Sequence, residues 1–327
     1  MKSKNTNVEI FVERASSILD ISKSRVEELF RPNKLKAFRL NGFRWASLSN
    51  EDKHQERKQL IDSLTMVGVD VQAIAWYDDG FSFPAEQTEL LTESAPYKSG
   101  NIFIQNPSSW LPILLMDFKP GQKILDMCSS PGGKAMHIAT IIGELPTMVE
   151  VKQHRFNRLV QSLNESGFEI DKNDERLICA DGKHLPNLYP DLNCDIVMVD
   201  AQCSNEAGIN FADRGDPLKG WNEKRVAECV RLQIQLLTAA YKLVNVGGQI
   251  IYSTCTLAPE ENEAVVSEVV KRIDSKGGML TPVVNEKYNQ GRVDKIKTWK
   301  GAKFSDEISS AVTRVTPGSD ELLDGFC

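Results

Sequence analysis

From about residue 100 the sequence alternates short apolar runs with longer segments of helical spacing, and this alternation constrains the fold more than any other feature. The predicted strands cover residues 123–128, 147–151, 177–180, 195–199 and 249–253. The predicted helices cover residues 134–142, 154–163 and about 222–245. Gly247 and Gly248 are expected to end the last of these, and Pro259 is expected to begin another, with Glu260, Glu261 and Glu263 near its positive end. Alternating strands and helices predict an α/β fold with a mostly parallel sheet.

Polar residues follow each predicted strand at its carboxyl end. In open α/β sheets, ligands bind beyond the carboxyl ends of the strands. The five ends carry residues 126–134, 150, 181–182, 200–205 and 253–255. Five polar ends in succession indicate a ligand-binding crevice rather than solvated loops alone.

The turn after the first of these strands, residues 128–134, has three candidate interpretations. A phosphate-binding P-loop requires glycine first and serine or threonine after the lysine, but the chain has Cys128 and Ala135. A dinucleotide fingerprint requires G-x-G-x-x-G, which the turn lacks. What remains is a turn whose backbone approaches a nucleoside or zwitterionic ligand at a helix N-terminus. With Glu150 accepting from a ribose diol and Asp181 from an adenine amine, an adenosine with a short charged tail, such as S-adenosylmethionine, fits these ends.

The composition excludes several classes of protein. Asp and Glu number 45 against 39 Lys and Arg, and the net charge of −6 is unlike a generally basic nucleic-acid coat, although a local basic patch is compatible with it. No apolar run approaches the length of about 20 residues that spans a bilayer, and the first residues lack the apolar core of a signal peptide. The seven cysteines include no C-x-x-C pair, and the four histidines have no ligand spacing. We therefore expect a cytoplasmic monomer with no membrane association, no disulfide framework and no metal site.

Two segments are rich in basic residues. Residues 31–44 contain five basic residues and no acid, with Phe38 and Phe43 between them. This segment is either a solvated strand edge or loop, or a phosphate-contacting surface whose rings stack on bases. Residues 287–303 contain six basic residues against Asp294, and they either flank a substrate groove or form a solvated loop. Elsewhere in the first 95 residues, the pattern predicts helices over 11–29 and 51–64 and a strand–turn–strand over 71–83.

Four longer motifs give the chain a resemblance to a known family. They are N-I-F-I-Q-N-P-S-S-W-L-P at 101–112, L-D-M-C-S-S-P-G-G-K at 125–134, D-A-Q-C-S-N at 200–205 and Y-S-T-C-T-L-A-P-E-E-N-E at 252–263. With these motifs the chain resembles the RNA 5-methylcytosine methyltransferases of the RsmB/RsmF and sun group over nearly its whole length. Residues 38–41 and 74–81 are most similar to the RsmF branch, which acts on small-subunit ribosomal RNA.

The resemblance implies a fold, a cofactor and a partner. The implied fold is a Rossmann-like class I S-adenosylmethionine-dependent methyltransferase domain over residues 96–327, preceded by a small α+β RNA-binding domain over residues 1–95. The implied cofactor is S-adenosyl-L-methionine. The implied partner is RNA, with ribosomal RNA favoured over transfer RNA.

The resemblance also implies roles for individual residues. Carbon 5 of cytosine is a poor nucleophile until a thiolate adds at carbon 6, so the reaction needs a nucleophilic cysteine, a group that holds the base and a group that aids release. By resemblance, Cys255 is the nucleophile, Cys203 helps to resolve the covalent intermediate, and Asp200 bonds the amine or N3 of the cytosine. Lys134 is expected to lower the pKa of the thiolate or to hold a negative group. The residues expected to bind the cofactor are Cys128, Ser129, Ser130, Pro131, Gly132, Gly133, Lys134, Glu150, Asp181 and Asp200.

The chain departs from the family's motifs at Gln202, where proline is usual, at Asn205, where glycine is usual, and at Ala135, where threonine is common. Residues 324–327 match the start of the family's closing strand and then stop, so we expect a short edge strand and no appended RNA-binding domain. Three alternatives stay open: a catalytically weak RNA-binding or ribosome-assembly factor that keeps the fold, an enzyme with Cys203 as nucleophile, and a protein or small-molecule methyltransferase, which would not need paired thiols. The cysteines expected to be buried core residues are Cys179, Cys194 and Cys229.

Overall fold

The structure is a computed structural model that describes residues 2–31, 35–284, 295–315 and 317, the side chains of residues 2–5 excepted. Its helices are α1 (Lys2–Leu19), α2 (Lys23–Leu29), α3 (Asn50–Met66), α4 (Thr88–Glu93), α5 (Ala95–Lys98), α6 (Leu111–Leu114), α7 (Gly133–Ile142), α8 (Gln153–Glu165), α9 (Leu185–Leu188), α10 (Glu223–Leu243), α11 (Glu263–Asp274) and α12 (Asp306–Ala311). Its strands are β1 (Leu35–Leu40), β2 (Gln72–Ala73), β3 (Gly80–Pro84), β4 (Ile102–Ile104), β5 (Ile124–Asp126), β6 (Thr147–Val149), β7 (Leu177–Ile178), β8 (Cys194–Asp200), β9 (Val244–Ser253), β10 (Thr298–Trp299) and β11 (Ala302–Lys303). The closing motif expected at residues 324–327 lies outside the described residues.

The chain folds into two compact units, each assembled from separate stretches of sequence. The first unit consists of Met1–Pro32, Val199–Leu243 and Ile250–Cys327, and the second consists of Asn33–Met198 and Val244–Gln249. Strands β8 and β9 begin in the second unit and end in the first. Residues 1–95 contribute to both units, and the assignment of RNA binding to 1–95 and of catalysis to 96–327 stays a prediction.

The second unit is built on a five-stranded sheet with the order β7-β6-β5-β8-β9. The pairs β5–β6, β5–β8 and β6–β7 are parallel, so the carboxyl ends of these four strands lie at one edge of the sheet. Met148, Ile196 and Val197 on the inner strands are buried, as expected for a parallel sheet that is covered on both faces. If the five strands are numbered by their order in the chain, their positions across the sheet are third, second, first, fourth and fifth, which is the order of Rossmann-like folds. The expected α/β, Rossmann-like fold is confirmed.

Helices α7 and α8 form one apolar layer of this unit. Phe156, Leu159 and Leu163 repeat at helical spacing on α8, and they pack in one cluster with Met136 and Ala139 of α7. This packing fixes the start of α7, where the loop after β5 enters the helix.

A second sheet in the same unit has the order β2-β3-β1-β4 and is antiparallel. It includes the strand–turn–strand predicted over 71–83, and α3 confirms the helix predicted over 51–64. Phe38 on β1 is completely buried and stacks on Phe81 at 5.4 Å, while Phe43 stacks on Phe168 at 4.2 Å. Of the two interpretations of the first basic segment, the one with rings that stack on bases is not supported, because Phe38 is buried and the half-buried Phe43 is stacked on Phe168.

In the first unit, α1 and α2 confirm the helices predicted over residues 11–29. Phe11 is the centre of their contact, and its ring meets the rings of Phe30 and Trp221 edge-on at 5.1 Å each. A second cluster in this unit joins α10 and α11 through Leu237 and Val269. The unit thus has its own apolar core, on which the segments after β8 and β9 rest.

The boundary between α10 and β9 differs from the prediction. The helix ends at Leu243, and Gly247 and Gly248 lie inside β9 rather than at the end of the helix. A Cβ at Gly248 would lie 2.7 Å from the carbonyl oxygen of Asp195, so glycine allows a close approach of two backbones there.

The start of α11 also differs. The helix begins at Glu263, and Pro259, Glu260 and Glu261 precede it. The sequence predicted a helix N-terminus at these acids because their negative charge suits the positive end of the helix dipole. In the structure their carboxylates accept hydrogen bonds from other segments of the first unit instead.

Candidate active site

The loop after β5 is held in one conformation by its own polar atoms. The Asp126 carboxylate accepts a hydrogen bond from the Cys128 N–H at 3.2 Å. The Ser129 hydroxyl donates to the Asp126 carbonyl at 2.9 Å and accepts from the Val149 N–H at 3.2 Å. Asp126 and Ser129 are both buried. The loop is therefore tied to β5 on one side and to β6 on the other.

The loop turns into α7 at Gly132 and Gly133. Gly132 has φ 108°, a left-handed conformation that glycine adopts without strain. A Cβ at Gly133 would lie 2.9 Å from the Phe103 ring and 3.0 Å from the amide nitrogen of Gln105, so no larger side chain fits there. The two glycines bring the backbone N–H groups of the first turn of α7 to the strand-end edge, where they suit a ligand carboxylate.

Two acidic residues follow the next two strands of the sheet. Because β6 and β7 run parallel to β5, Glu150 and Asp181 follow strand ends at the edge that carries the glycine loop. Glu150 is buried; its Oε1 accepts from the Lys152 N–H at 2.9 Å, and its Oε2 lies 3.4 Å from Arg155 Nε. Asp181 forms a 2.8 Å ion pair with Lys183. Two carboxylates and a helix N-terminus form a set that fits the hydroxyls, the amine and the carboxylate of S-adenosylmethionine.

Arg39 on β1 supports this loop from inside the second unit. Its guanidinium is almost completely buried, donates to the Gly133 carbonyl at 2.8 Å and lies 5.4 Å from the centre of the Phe103 ring. Burial lowers the pKa of Arg39 to about 10, so the side chain remains a cation at neutral pH. In the sequence Arg39 stands out only as part of a basic segment, because its partner carbonyl is distant in the chain.

The first unit brings the two motif cysteines together. The Cys255 N–H donates to Cys203 Sγ at 3.2 Å, so the two motif cysteines are direct neighbours. Cys203 is buried, whereas Cys255 is partly exposed. The hydrogen bond with Cys255, followed by burial, raises the pKa of Cys203 well above the ordinary value of a thiol. Cys203 therefore stays protonated at neutral pH.

Asn205 and Asp200 contribute polar atoms to the same unit. Asn205 Oδ1 accepts from Cys255 Sγ at 3.3 Å. Asp200 Oδ1 accepts from the Ser253 hydroxyl at 2.8 Å, which joins the end of β8 to the end of β9. The sequence marked Asn205 only as a departure from the family's motif, and it gave no sign of the contact with the thiol.

Two buried acids lie beneath the cysteine loops, and sequence reasoning missed both. Glu261 accepts from the Ser204 N–H at 3.0 Å and from Gln233 Nε2 at 2.8 Å. Burial raises the pKa of Glu261 to about 7. Glu206 accepts from the Leu257 N–H at 2.9 Å, and burial raises its pKa as well. These bonds connect the segment after β8 to the segment after β9, so the two cysteines are held on a cross-linked base.

Comparison with known proteins assigns the chain. The sequence profile of the family described as "16S rRNA methyltransferase RsmB/F" matches residues 113–326, about two thirds of the chain. The chain belongs to the RsmB/F family. Membership confirms the family resemblance, the methyltransferase class and S-adenosylmethionine as the cofactor.

Relatives of the RsmB/F chain carry names of RNA methyltransferases. A tRNA (cytosine(49)-C(5))-methyltransferase from Pyrococcus abyssi is 31% identical over 229 residues, which are 69% of this chain and 68% of that protein. Ribosomal RNA small subunit methyltransferase F from Salmonella paratyphi C is 32% identical over 206 residues, 61% of this chain and 41% of that protein. The chain thus spans about two thirds of the first relative and about two fifths of the second.

Solved structures share the fold. NSun6 from Pyrococcus horikoshii superposes with a TM-score of 0.73 at 18% identity, covering 96% of this chain and 95% of that one. A methyltransferase homolog protein from the same organism has a TM-score of 0.67 at 24% identity, covering 95% and 96%. These similarities support the Rossmann-like assignment.

The structure groups the expected site residues of this RsmB/F chain by unit. The second unit holds the cofactor-loop residues 128–134 together with Glu150 and Asp181. The first unit holds Cys203, Cys255 and Asp200, and Asp200 is the last residue of β8. Lys134 stands in the first turn of α7, and its expected action on a thiol stays a prediction.

Among the other cysteines, Cys194 and Cys229 are buried as expected, but Cys179 is exposed. It lies just beyond the end of the short strand β7, where its thiol meets the Gln153 side chain instead of the core. Within the described ranges, no group of three or more His, Cys, Asp or Glu is arranged to hold a metal ion. No helix in the same part of the chain has the length and apolar character needed to cross a membrane.

Proposed function

We propose that the chain is an S-adenosylmethionine-dependent RNA cytosine-C5 methyltransferase in which Cys255 is the nucleophile. The observation that carries the proposal is the pair of neighbouring cysteines in the first unit, joined by the Cys255 N–H and with one thiol partly exposed and the other buried. Methyl transfer to carbon 5 of cytosine needs one thiol that reaches the base and a second group that aids its release. The exposed thiol suits the first task and the buried thiol suits the second.

Cys255 activates the base by a covalent bond. Its sulfur, after losing its proton to solvent, adds to carbon 6 and drives an electron pair onto carbon 5, which becomes nucleophilic. When bound, S-adenosylmethionine supplies the methyl group as an electrophile. The proton on carbon 5 then passes to water, its electron pair restores the 5,6 double bond, and the carbon–sulfur bond breaks with its electrons returning to Cys255.

Cys203 assists the last of these steps. Because its pKa lies well above the ordinary value, it keeps its proton at neutral pH. A protonated thiol beside Cys255 donates a hydrogen bond to the sulfur as it leaves carbon 6, and so stabilises the departing thiolate. This division of tasks supports Cys255, rather than Cys203, as the residue that attacks.

Other residues hold the two reactants. Asp200, fixed by the Ser253 hydroxyl, would bond the exocyclic amine or N3 of the cytosine. Glu150 would hold the ribose hydroxyls of the cofactor, Asp181 its adenine amine, and the first turn of α7 its carboxylate. These assignments follow from the carboxylates and the helix N-terminus that lie at the strand ends.

The first unit also offers a surface for RNA. A cleft of about 630 Å³ is lined by Gln202, next to Cys203 in sequence, and by Lys224 and Arg225 on α10. A nucleotide fits such a volume, and two cations suit its phosphates. We propose that RNA, with ribosomal RNA ahead of transfer RNA, is bound here by a cytoplasmic monomer.

The test combines methyl transfer with covalent trapping. In the first assay, purified protein is incubated with S-adenosylmethionine and RNA from a strain that lacks the gene, and 5-methylcytidine is measured by mass spectrometry. In the second assay, the RNA contains 5-fluorocytidine, from which no carbon-5 proton can leave, so the covalent complex is trapped. We expect methylation and a trapped complex with wild type, a stable trapped complex with Cys203→Ala, and none with Cys255→Ala. Cofactor binding without methylation or trapping on any RNA would favour the RNA-binding or assembly factor, and trapping lost only in Cys203→Ala would reverse the two roles.

A further inference from the structure

Asn205 has an unusual backbone conformation directly after the motif cysteine loop. Its φ of 62° and ψ of 47° lie in the left-handed region, where glycine is at ease and asparagine is among the best tolerated of other residues. The family's motif has glycine at this position, so the conformation itself requires no side chain. The presence of an amide therefore calls for a reason beyond the turn.

The contacts of Asn205 supply that reason, because its side chain touches the Cys255 thiol. Its Oδ1 accepts from Cys255 Sγ at 3.3 Å. The amide is also held from behind, since a Cβ at Gly208 would overlap Asn205 Nδ2. A residue that binds the Cys255 sulfur and is itself packed in place fixes the position of that thiol.

We infer that Asn205 is a positioning residue that holds the Cys255 sulfur in the orientation from which it attacks carbon 6, an inference that rests on the proposed function. A thiol on a single rotatable bond has three staggered positions, and only one of them aims at a given atom. An acceptor at 3.3 Å selects one of the three for the resting thiol, before its proton leaves and the base arrives, which removes part of the orientational cost of the attack.

Asn205→Gly separates this role from a structural one. Glycine adopts the left-handed conformation more readily than asparagine, so the turn is kept and only the amide is lost. Lys219→Gly is the matched control, because Lys219 also has a positive φ (49°) in the first unit, is exposed and has no part in the proposed site. Both variants are expected to unfold at or above the wild-type temperature.

Asn205→Asp is the second variant, and it tests the same contact by charge. A carboxylate at this position faces the Cys255 sulfur and opposes formation of a thiolate there. Its effect on thiol reactivity is therefore expected to depend on pH, whereas the loss of a turn would affect the reaction equally at every pH.

Two measurements are made on each variant. The first is the rate of covalent complex formation with 5-fluorocytidine RNA. The second is the rate at which iodoacetamide alkylates Cys255 between pH 6 and 9, followed by peptide mapping because Cys179 is also exposed. We expect trapping to slow by about 10-fold in Asn205→Gly, the pH profile of alkylation to move upward in Asn205→Asp, and both to stay unchanged in Lys219→Gly.

Trapping and alkylation at the wild-type rate in a folded Asn205→Gly protein would overturn the inference and leave the proposed function standing. Failure of the wild type to form any complex with RNA would instead overturn the proposed function. Alkylation of Cys255 requires no RNA, so it still decides whether Asn205 controls the thiol. An unchanged alkylation profile in both Asn205 variants would then reject the inference independently.

Discussion

The buried carboxyl of Glu261 makes the stability of the protein depend on pH in a direction that can be worked out. The side chain is completely buried and accepts bonds from the Ser204 N–H and Gln233 Nε2 through one oxygen. Its other oxygen, Oε1, has no hydrogen-bond partner among the described residues. Burial is the largest cause that raises its pKa from the ordinary 4.5 to about 7. The folded protein thus prefers the neutral acid.

The sign and size of the effect follow from this pKa. Between pH 4.5 and about 7 the folded state keeps a proton that the unfolded chain releases, so stability falls as the pH rises. The stabilisation is fully present below pH 4.5 and is lost as the pH passes through about 7. A pKa difference of this size corresponds to about 3 kcal/mol in the free energy of unfolding.

Glu261→Gln removes this dependence because glutamine does not titrate. Urea unfolding of wild type and variant, followed by tryptophan fluorescence from pH 5 to 8, measures it. We expect the difference in unfolding free energy between the two proteins to move by about 3 kcal/mol in favour of the variant over that range. An exposed control, Glu27→Gln, is expected to follow the wild type at every pH. Parallel curves for wild type and Glu261→Gln would refute the reasoning.

Two further predictions concern the ligands. Glu150→Gln keeps the shape of the buried side chain but removes its charge, and we expect S-adenosylmethionine to bind about 10-fold more weakly in isothermal titration calorimetry, with unchanged folding by circular dichroism. Replacing Lys224 and Arg225 together with glutamate is expected to weaken RNA binding and to flatten its dependence on salt concentration in filter-binding assays. Lys242→Glu, at the other end of α10, changes charge on the same helix and is expected to leave RNA affinity near the wild-type value; an equal loss in that control would count against the cleft.

The strands of the central sheet and their mostly parallel arrangement were accessible from the sequence because they depend on local patterns. Short apolar runs separated by helical segments predict a parallel sheet, and polar residues after β5, β6 and β7 mark its ligand edge. The motifs around Cys203 and Cys255 likewise directed attention to two thiols that are neighbours in the structure. These signals are contiguous in the chain: periodicity carries the first two, and the resemblance of the motifs to a known family carries the third.

Contacts between distant segments were not accessible in the same way. Arg39 resembled a surface cation because nothing near it in sequence shows the Gly133 carbonyl, 94 residues away. Glu261 suited a helix N-terminus, but the chain turns before α11 and directs the carboxylate to Ser204. Asn205 was visible only as an exception to a motif, since its partner Cys255 is 50 residues away. In each case the decisive interaction depends on the folded arrangement.

The central claim is that Cys255 forms the bond to carbon 6 of a cytosine in RNA. The most direct test is to trap the protein on RNA containing 5-fluorocytidine, digest the complex and locate the nucleotide-bearing peptide by tandem mass spectrometry. The account predicts a single nucleotide adduct on Cys255, absent from Cys255→Ala and retained in Cys203→Ala. An adduct on Cys203, or one that persists in Cys255→Ala, would contradict it.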